Sequence, residues 1–270
     1  MTGIGERAAR EAAALLWDCW SGGRTIAALP ERCRPASVAD GWRIQRALDA
    51  HAGPAAGWKI AATSPAGQAH IGAAGPLAGR LYARTLVRSG GELDAAALTM
   101  RSAEAEFAFR IATDLDPQDG ALTRERVLSA VGAMHPAIEV PDTRFGDFTA
   151  VGLPSLVADA MCVAHVVVGE PVERWDPRAL PTHPVSMRRN GEDVAAGSGA
   201  NVLGDPCEAL VWLAEELSEH GEALRAGDLV ITGACTPPNA IAPGDALRAD
   251  FGTLGAAEVR FAPADGAAPA

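Results

Sequence analysis

The stretch Ser102-Ala103-Glu104-Ala105-Glu106-Phe107-Ala108-Phe109 alternates polar and apolar side chains. On a strand, Ala103, Ala105, Phe107 and Phe109 line one face, and Glu104 and Glu106 share the other. Two residues along a strand separate their Cα atoms by roughly 6.6 Å, so the two carboxylates can converge on one cation. The same pattern also describes a half-buried strand with two glutamates in solvent. A third acid, Glu139, bears on that choice. It lies within His135-Pro136-Ala137-Ile138-Glu139-Val140-Pro141, and an acid in so apolar a run is costly to bury unless it is paired or metal-bound. Three converging carboxylates carry too much like charge to coexist unneutralised. A hard divalent cation resolves this, and Mg²⁺ takes oxygen ligands while keeping positions open for water or substrate. The alternative for Glu139 is a strand-end side chain that reaches solvent or pairs with an arginine such as Arg144. The histidines show no His-x-His or His-x-x-x-His spacing, which disfavours zinc.

One cation is singled out by count. Of 23 Lys and Arg residues, only Lys59 is lysine. A GC-rich genome accounts for the arginine excess, and it makes the surviving lysine notable. Lysine can lose its proton when desolvated and arginine cannot. Position 59 is therefore a candidate for chemistry, against the alternative of chance retention on the surface. Ser198 and Thr236 lie in polar, Gly/Pro-flanked segments and are candidates for contact with substrate oxygens, as is Arg80 for a substrate carboxylate. For the two hydroxyls, turn residues bonding to local backbone is an equal reading.

The elements that must position these residues divide into two textures. Residues 6–20 place Ala9, Ala12, Ala13, Leu16, Cys19 and Trp20 at helical spacing, and Ser21-Gly22-Gly23 stops the helix. A second helix is expected over Val38–His51, with Ser37 as N-cap and Gly53-Pro54 as its end. Residues 1–56 thus read as an N-terminal helical segment, and 57–262 as a catalytic domain. From Gly57 short apolar runs alternate with Gly, Pro and Asp. Strands are expected over Gly57–Ala62, Met100–Ile111, Ala137–Val140, Met161–Val168, Val185–Arg189, Leu229–Thr232, Ala246–Phe251 and Ala257–Phe261. Thr123 opens a short helix, and Asp205-Pro206 opens the clearest later one, ending at Gly221. The Ala/Gly/Pro tail 263–270 is expected to be disordered. Strands do not alternate regularly with long helices, so a sheet-rich α+β core is favoured over a doubly wound sheet. Gly197-Ser198-Gly199 lacks the lysine and the context of a phosphate loop.

Composition excludes several classes. A net charge of −11 over 270 residues repels phosphate backbones and anionic membranes, so neither nucleic acid nor a membrane is expected as a partner. No run of about 18 uncharged apolar residues occurs. The N-terminus, Met1-Thr2-Gly3-Ile4-Gly5-Glu6-Arg7, does not read as a signal peptide. Five scattered cysteines form no Cys-x-x-Cys pair, so a cytoplasmic protein is expected.

Taken in order along the chain, several segments resemble one family. Gly57-Trp58-Lys59-Ile60-Ala61-Ala62-Thr63-Ser64 is similar to the Gly-Tyr-Lys-Ile-Gly-Leu-Thr-Ser signature of the 2-oxopent-4-enoate (2-hydroxypenta-2,4-dienoate) hydratases, which sit with related 2-oxo acid decarboxylases in the fumarylacetoacetase superfamily. Glu104-Ala105-Glu106 resembles that family's Glu-x-Glu metal motif. Ile138-Glu139-Val140-Pro141-Asp142-Thr143-Arg144-Phe145 resembles its Ile-Glu-x-x-Asp-Ser-Arg segment. Val202-Leu203-Gly204-Asp205-Pro206, Gly227–Gly233 and Pro243-Gly244-Asp245 match later blocks, so the likeness runs from about residue 7 to 261. It implies a mixed, strongly bent β-roll with surrounding helices, and Mg²⁺ or Mn²⁺ held by Glu104, Glu106 and Glu139 with Lys59 beside them. The implied reaction is metal-dependent hydration of a 2-hydroxy-2,4-dienoate to a 4-hydroxy-2-oxo acid in meta-cleavage aromatic catabolism, by a homo-oligomer. Two departures stand against it. Leu77 occupies the place of an acid in the family's Pro-Asp-Phe-Gly. Asp159-Ala160-Met161-Cys162 stands where hydratases read Asp-Asn-Ala-Ser. Decarboxylation of a vinylogous 2-oxo diacid needs no water-delivering acid and is the alternative reaction. A non-catalytic partner subunit is the alternative outside enzymology.

Overall fold

The computed structural model describes residues 3–264. The tail expected over 263–270 lies outside the described residues from 265 onward. Helix α1 (Glu6–Ser21) buries Ala9, Ala12, Ala13, Leu16 and Cys19 along one stripe and stops at Gly22. Helix α2 (Val38–Ala47) is capped by the Ser37 hydroxyl, which accepts from the Asp40 N–H. The single helix expected to His51 breaks at Leu48. Its last turn is a separate helix, α3 (Asp49–Ala52), closed by Gly53 at φ +90°. These helices share a core with Tyr82, Phe145 and Ala158, so they are seated on the sheet that follows.

That sheet has eight strands: β1 (Ala55–Ala61), β2 (Leu77–Tyr82), β3 (Leu86–Arg88), β5 (Ser102–Ile111), β6 (Val131–Val140), β7 (His165–Val168), β10 (Leu229–Ala234) and β11 (Asn239–Ala240). Their order is β2-β1-β10-β5-β6-β7-β3, with β11 added to the start of β5. The β1/β10 and β7/β3 pairs are parallel and the others antiparallel. A second sheet orders β4 (Gly91–Leu93), β13 (Ala256–Phe261), β12 (Ala246–Asp250), β8 (Pro184–Arg189) and β9 (Glu192–Ser198). Strands β12 and β13 lie against β6 and β7, and Phe107, Met187, Leu247, Phe251 and Val259 fill the space between the sheets. The remaining helices are α4 (Pro65–Ile71), α5 (Arg124–Ser129), α6 (Leu153–Ala158) and α7 (Pro206–Glu219). As expected, Thr123 caps α5 and Asp205 caps α7, each through its side-chain oxygen. The class is α+β with a strongly bent mixed sheet.

Three expectations are corrected. The strand expected from Met161 begins only at His165. Ala160, Met161 and Cys162 have φ of 46°, 53° and 61°, a left-handed turn that no strand can contain. The strand expected from Ala137 is the end of the ten-residue β6. Pro136 is tolerated there because β7 pairs only with Ala137–Val140 and leaves it just outside that ladder. Of the β8–β9 hairpin only β8 was expected, over Val185–Arg189, and its partner β9 was not. The turn between them is Asn190-Gly191, both residues at positive φ (54° and 86°), the conformation that such a two-residue loop requires.

Candidate metal centre

Strands β5 and β6 pair so that Glu104 stands directly opposite Glu139, while Glu106 pairs with Ala137 two positions along. Period-2 alternation puts Glu104 and Glu106 on one face of β5. One carboxylate oxygen from each of the three glutamates lies within 4.8 Å of the other two. Glu106 and Glu139 are buried (1% and 4% exposed). Glu106 is further fixed by the Gly233 N–H, which donates to its Oε2 at 2.6 Å. That contact depends on glycine: Gly233 has φ +110°, and a Cβ there would stand 2.1 Å from Thr63 Oγ1.

Lys59 reaches the same cluster from β1 and is buried against Glu139, with which it forms an ion pair. Its aliphatic stem runs past Gly79 on β2. A Cβ at Gly79 would sit 3.0 Å from Lys59 Cγ and 2.3 Å from the Ala160 carbonyl, so the left-handed turn after α6 backs directly onto the lysine. The same turn is held from below. Asp159 forms a buried ion pair with Arg144, and it accepts from the Arg144 N–H (3.1 Å) and the Thr143 hydroxyl (3.2 Å).

Electrostatics in this cluster are unbalanced in favour of a cation. Burial, and after it the charge of Glu139, pushes the Glu104 carboxyl up to about 7. Burial and then the Glu139 and Glu104 charges push Glu106 well above the usual carboxylate range, against the pull of the Gly233 hydrogen bond. Burial disfavours the charge on Lys59, but the attraction of Glu139 outweighs it and holds the ammonium above its ordinary value. One lysine does not neutralise three carboxylates, and three hard oxygen donors facing one point fit Mg²⁺ or Mn²⁺.

The cluster opens into a cavity of ≈ 950 Å³. Thr236 lies on its wall, and its Oγ1 is buried with no hydrogen-bond partner among the described residues. A buried hydroxyl left unpaired is costly, so Thr236 is ready for a ligand oxygen. The other two residues considered for substrate contact are elsewhere. Arg80 pairs across strands with Trp58, on the face of β1 opposite Lys59, and its guanidinium lies 4.9 Å from the Trp58 ring centroid. Its Nη1 and Nη2 donate to Asp49 (3.1 Å) and Glu222 (2.5 Å), so it ties the helices to the sheet and does not reach the cavity. Ser198 ends β9 opposite Pro184 and is not on the cavity wall; its neighbour Asn201 is. Ser102, Thr63, Met161 and Cys162 also line the cavity. Ser102 was legible, because it shares the strand parity of Glu104 and Glu106. The others come from turns, Thr63 in the segment resembling the hydratase signature and Met161 and Cys162 in the one that departs from it.

Known proteins repeat this architecture. Residues 73–262 match the model of the fumarylacetoacetate (FAA) hydrolase C-terminal family. A 2-keto-4-pentenoate hydratase of Paraburkholderia xenovorans is 31% identical over 257 residues, covering 93% of this chain and 94% of its own length. A 4-oxalocrotonate decarboxylase of Pseudomonas putida is 33% identical over 220 residues, 82% of each chain. The solved structure of the 4-oxalocrotonate decarboxylase from Pseudomonas putida G7, complexed with magnesium and adipate, superposes with a TM-score of 0.85 at 26% identity, covering 96% of this chain and 98% of that one. With the bent mixed sheet, the full-length likeness and the matched segment all in agreement, the chain belongs to the fumarylacetoacetate hydrolase C-terminal family.

Proposed function

We propose that the chain is a metal-dependent hydratase of 2-hydroxy-2,4-dienoates, of the 2-keto-4-pentenoate type. The observation that carries this reading is the convergence of Glu104, Glu106 and Glu139 within 4.8 Å at the wall of the cavity, with Lys59 against Glu139. These three glutamates would hold Mg²⁺ or Mn²⁺, and the relatives solved with magnesium and with calcium support a divalent ion. When bound, the cation would supply Lewis acidity to the oxygens of a 2-oxo acid.

The chain's own groups do the rest. Lys59 is placed as an ammonium to hold the substrate carboxylate or to deliver a proton to the dienol. The unpaired Thr236 hydroxyl offers a hydrogen bond to a substrate oxygen. Protonation at C5 with loss of the 2-hydroxyl proton converts the dienol to the conjugated 2-oxo-3-enoate. Water oxygen then bonds to C4 and a proton goes to C3, a net gain of one water. The finer expectations travel with this proposal: a cytoplasmic homo-oligomer in aromatic catabolism. The formal net charge of −11 disfavours nucleic acid and anionic membranes as partners, and no helix among the described residues is long and apolar enough to cross a membrane.

A second reading, decarboxylation of a vinylogous 2-oxo diacid, is favoured by one observation. Among the described residues the cavity wall carries no acidic side chain beyond the three glutamates, so they offer no separate acid to handle water. The deciding experiment incubates the protein with 2-hydroxypenta-2,4-dienoate, with Mg²⁺ or EDTA, and follows ultraviolet absorbance and product mass. Metal-dependent loss of the dienol with a mass gain of one water is expected. No reaction with the dienoate, combined with carbon dioxide release from a 2-oxo hexenedioate, would replace the hydratase by the decarboxylase.

A further inference from the structure

The lining of the cavity divides in chemistry. One part is the three glutamates and Lys59. The part contributed by α4, the segment after Arg144 and α6 is apolar, with Ile71, Phe148 and Leu156, and the left-handed turn beside Lys59 adds Met161. Leu156 and Met161 are buried in the main core. The side chains along the whole cavity that can carry positive charge are Lys59 and His70. Lys59 stands among the glutamates, paired with Glu139, where the 2-oxo acid head is anchored. His70 is exposed at the end of α4, and its ring lies edge-on to Phe148, 5.6 Å between centroids. Among the described residues no arginine lines the cavity.

Size points the same way. Sites for drug-sized ligands span about 300–1,000 Å³, and this cavity, at ≈ 950 Å³, holds far more than a five-carbon acid fills. We propose that it takes 2-oxo (2-hydroxydienoic) monoacids whose chain carries an apolar alkyl or aryl group beyond C5, and that it discriminates against substrates with a second carboxylate at that end. This rests on the reading of the glutamate cluster as the anchor for a 2-oxo acid.

The physical reason is desolvation. An alkyl or aryl end gains by leaving water for Ile71, Phe148 and Met161. A carboxylate at the same place loses its water, finds no arginine or free lysine to pair with and only the exposed His70 ring beside Phe148, and shares the cavity with three other carboxylates. Cys162, the polarisable neighbour of Met161, adds no charge: burial pushes its thiol up to about 12.

The test uses unreactive probes, so that it reads binding apart from turnover. Calorimetric affinities are measured with Mg²⁺-saturated protein for 2-oxovalerate, 2-oxooctanoate and 2-oxosuberate, the last two matched in length. The expected order is 2-oxooctanoate tightest, at least about tenfold over 2-oxovalerate from the added buried methylenes, and 2-oxosuberate weakest. Phe148→Arg should reverse the order of the octanoate and the suberate, and Ile71→Arg provides the same test from α4 if the first variant folds poorly. Equal or tighter binding of 2-oxosuberate by the wild type overturns the proposal, as does 2-oxooctanoate binding no better than 2-oxovalerate. Failure of all three probes to bind overturns it together with the 2-oxo acid reading. The expected order without dienoate turnover would sink the hydratase alone, and a reversed order with turnover intact would sink this inference alone.

Discussion

Lys59 and Glu139 form a buried ion pair although two strands, β10 and β5, lie between theirs. Register puts Lys59 level with Ile231, Ala108 and His135, four residues short of Glu139. In a flat sheet their Cα atoms would stand about 19 Å apart, from roughly 14 Å across three strand spacings and 13 Å along β6. Two side chains cannot span that distance. The sheet closes it by curling, helped by the irregularity between Ile231 and Ala234 where β10 meets β5. The curl is therefore what makes a site out of residues 80 positions apart, and it sets the terms of the following expectations.

Lys59→Met removes the ammonium and keeps the stem beside Gly79. Turnover of the dienoate should fall by about 10²–10⁴-fold, the usual weight of a positioned proton-transfer group. Mg²⁺ affinity, read by titration calorimetry, should remain. Full activity in this variant would remove Lys59 from the chemistry.

Glu106→Gln deletes one charge from the cluster and should weaken Mg²⁺ binding by more than about tenfold, since even indirect supports of a metal site cost 10–100-fold. In EDTA the same variant should melt higher than the wild type, because it relieves repulsion among three carboxylates. Differential scanning calorimetry with and without Mg²⁺ reads both effects. An unchanged metal affinity would take Glu106 out of the ligand set.

The pH dependence of the metal-free protein has a definite sign. Glu104 rises from an ordinary 4.5 to about 7 in the folded chain, and Glu106 is also raised. Below about pH 4.5 both states carry these protons and nothing is lost. As pH climbs through 7 the unfolded chain has already released them and the folded chain must follow, so stability declines. Denaturation midpoints in EDTA should fall over that interval, and saturating Mg²⁺ should remove the decline. A midpoint in EDTA that is level from pH 5 to 8 would contradict it.

Asp159→Asn leaves the Arg144 guanidinium buried without its anion. Breaking one partner of such a pair costs about 3–5 kcal/mol, which for a chain of this size lowers Tm by about 10 °C. Because the Ala160 carbonyl backs onto Gly79 and Lys59, kcat should fall more than Mg²⁺ affinity. A stable variant with full kcat would separate the turn from the lysine.

Much of this was legible in the sequence because it depends on local rules. The parity of Glu104 and Glu106 on one strand, the Ser37, Thr123 and Asp205 caps, and the apolar stripe of α1 all follow from residues a few positions apart. The Asn190-Gly191 turn was equally readable and was missed, since the Gly- and Ala-rich strand after it lacks the bulky residues that mark a strand. Arg80 and Ser198 were misplaced for another reason. Arg80 is one residue out of phase with Gly79, which faces Lys59, and strand parity sends it to the Trp58 face. Only the known position of β2 reveals that phase. The wall formed by Ile71, Phe148 and Met161 assembles from a helix, a loop and a turn, and no spacing along the chain announces it.

The glutamate cluster and the apolar wall are borne by different parts of the chain. The first sits on two long central strands, where any change of register would carry every neighbouring side chain to the wrong face. The second sits on short helices and turns at the margin, where single replacements leave the ladder untouched. Replacements in the wall can therefore reshape the cavity without disturbing the strands that carry the glutamates.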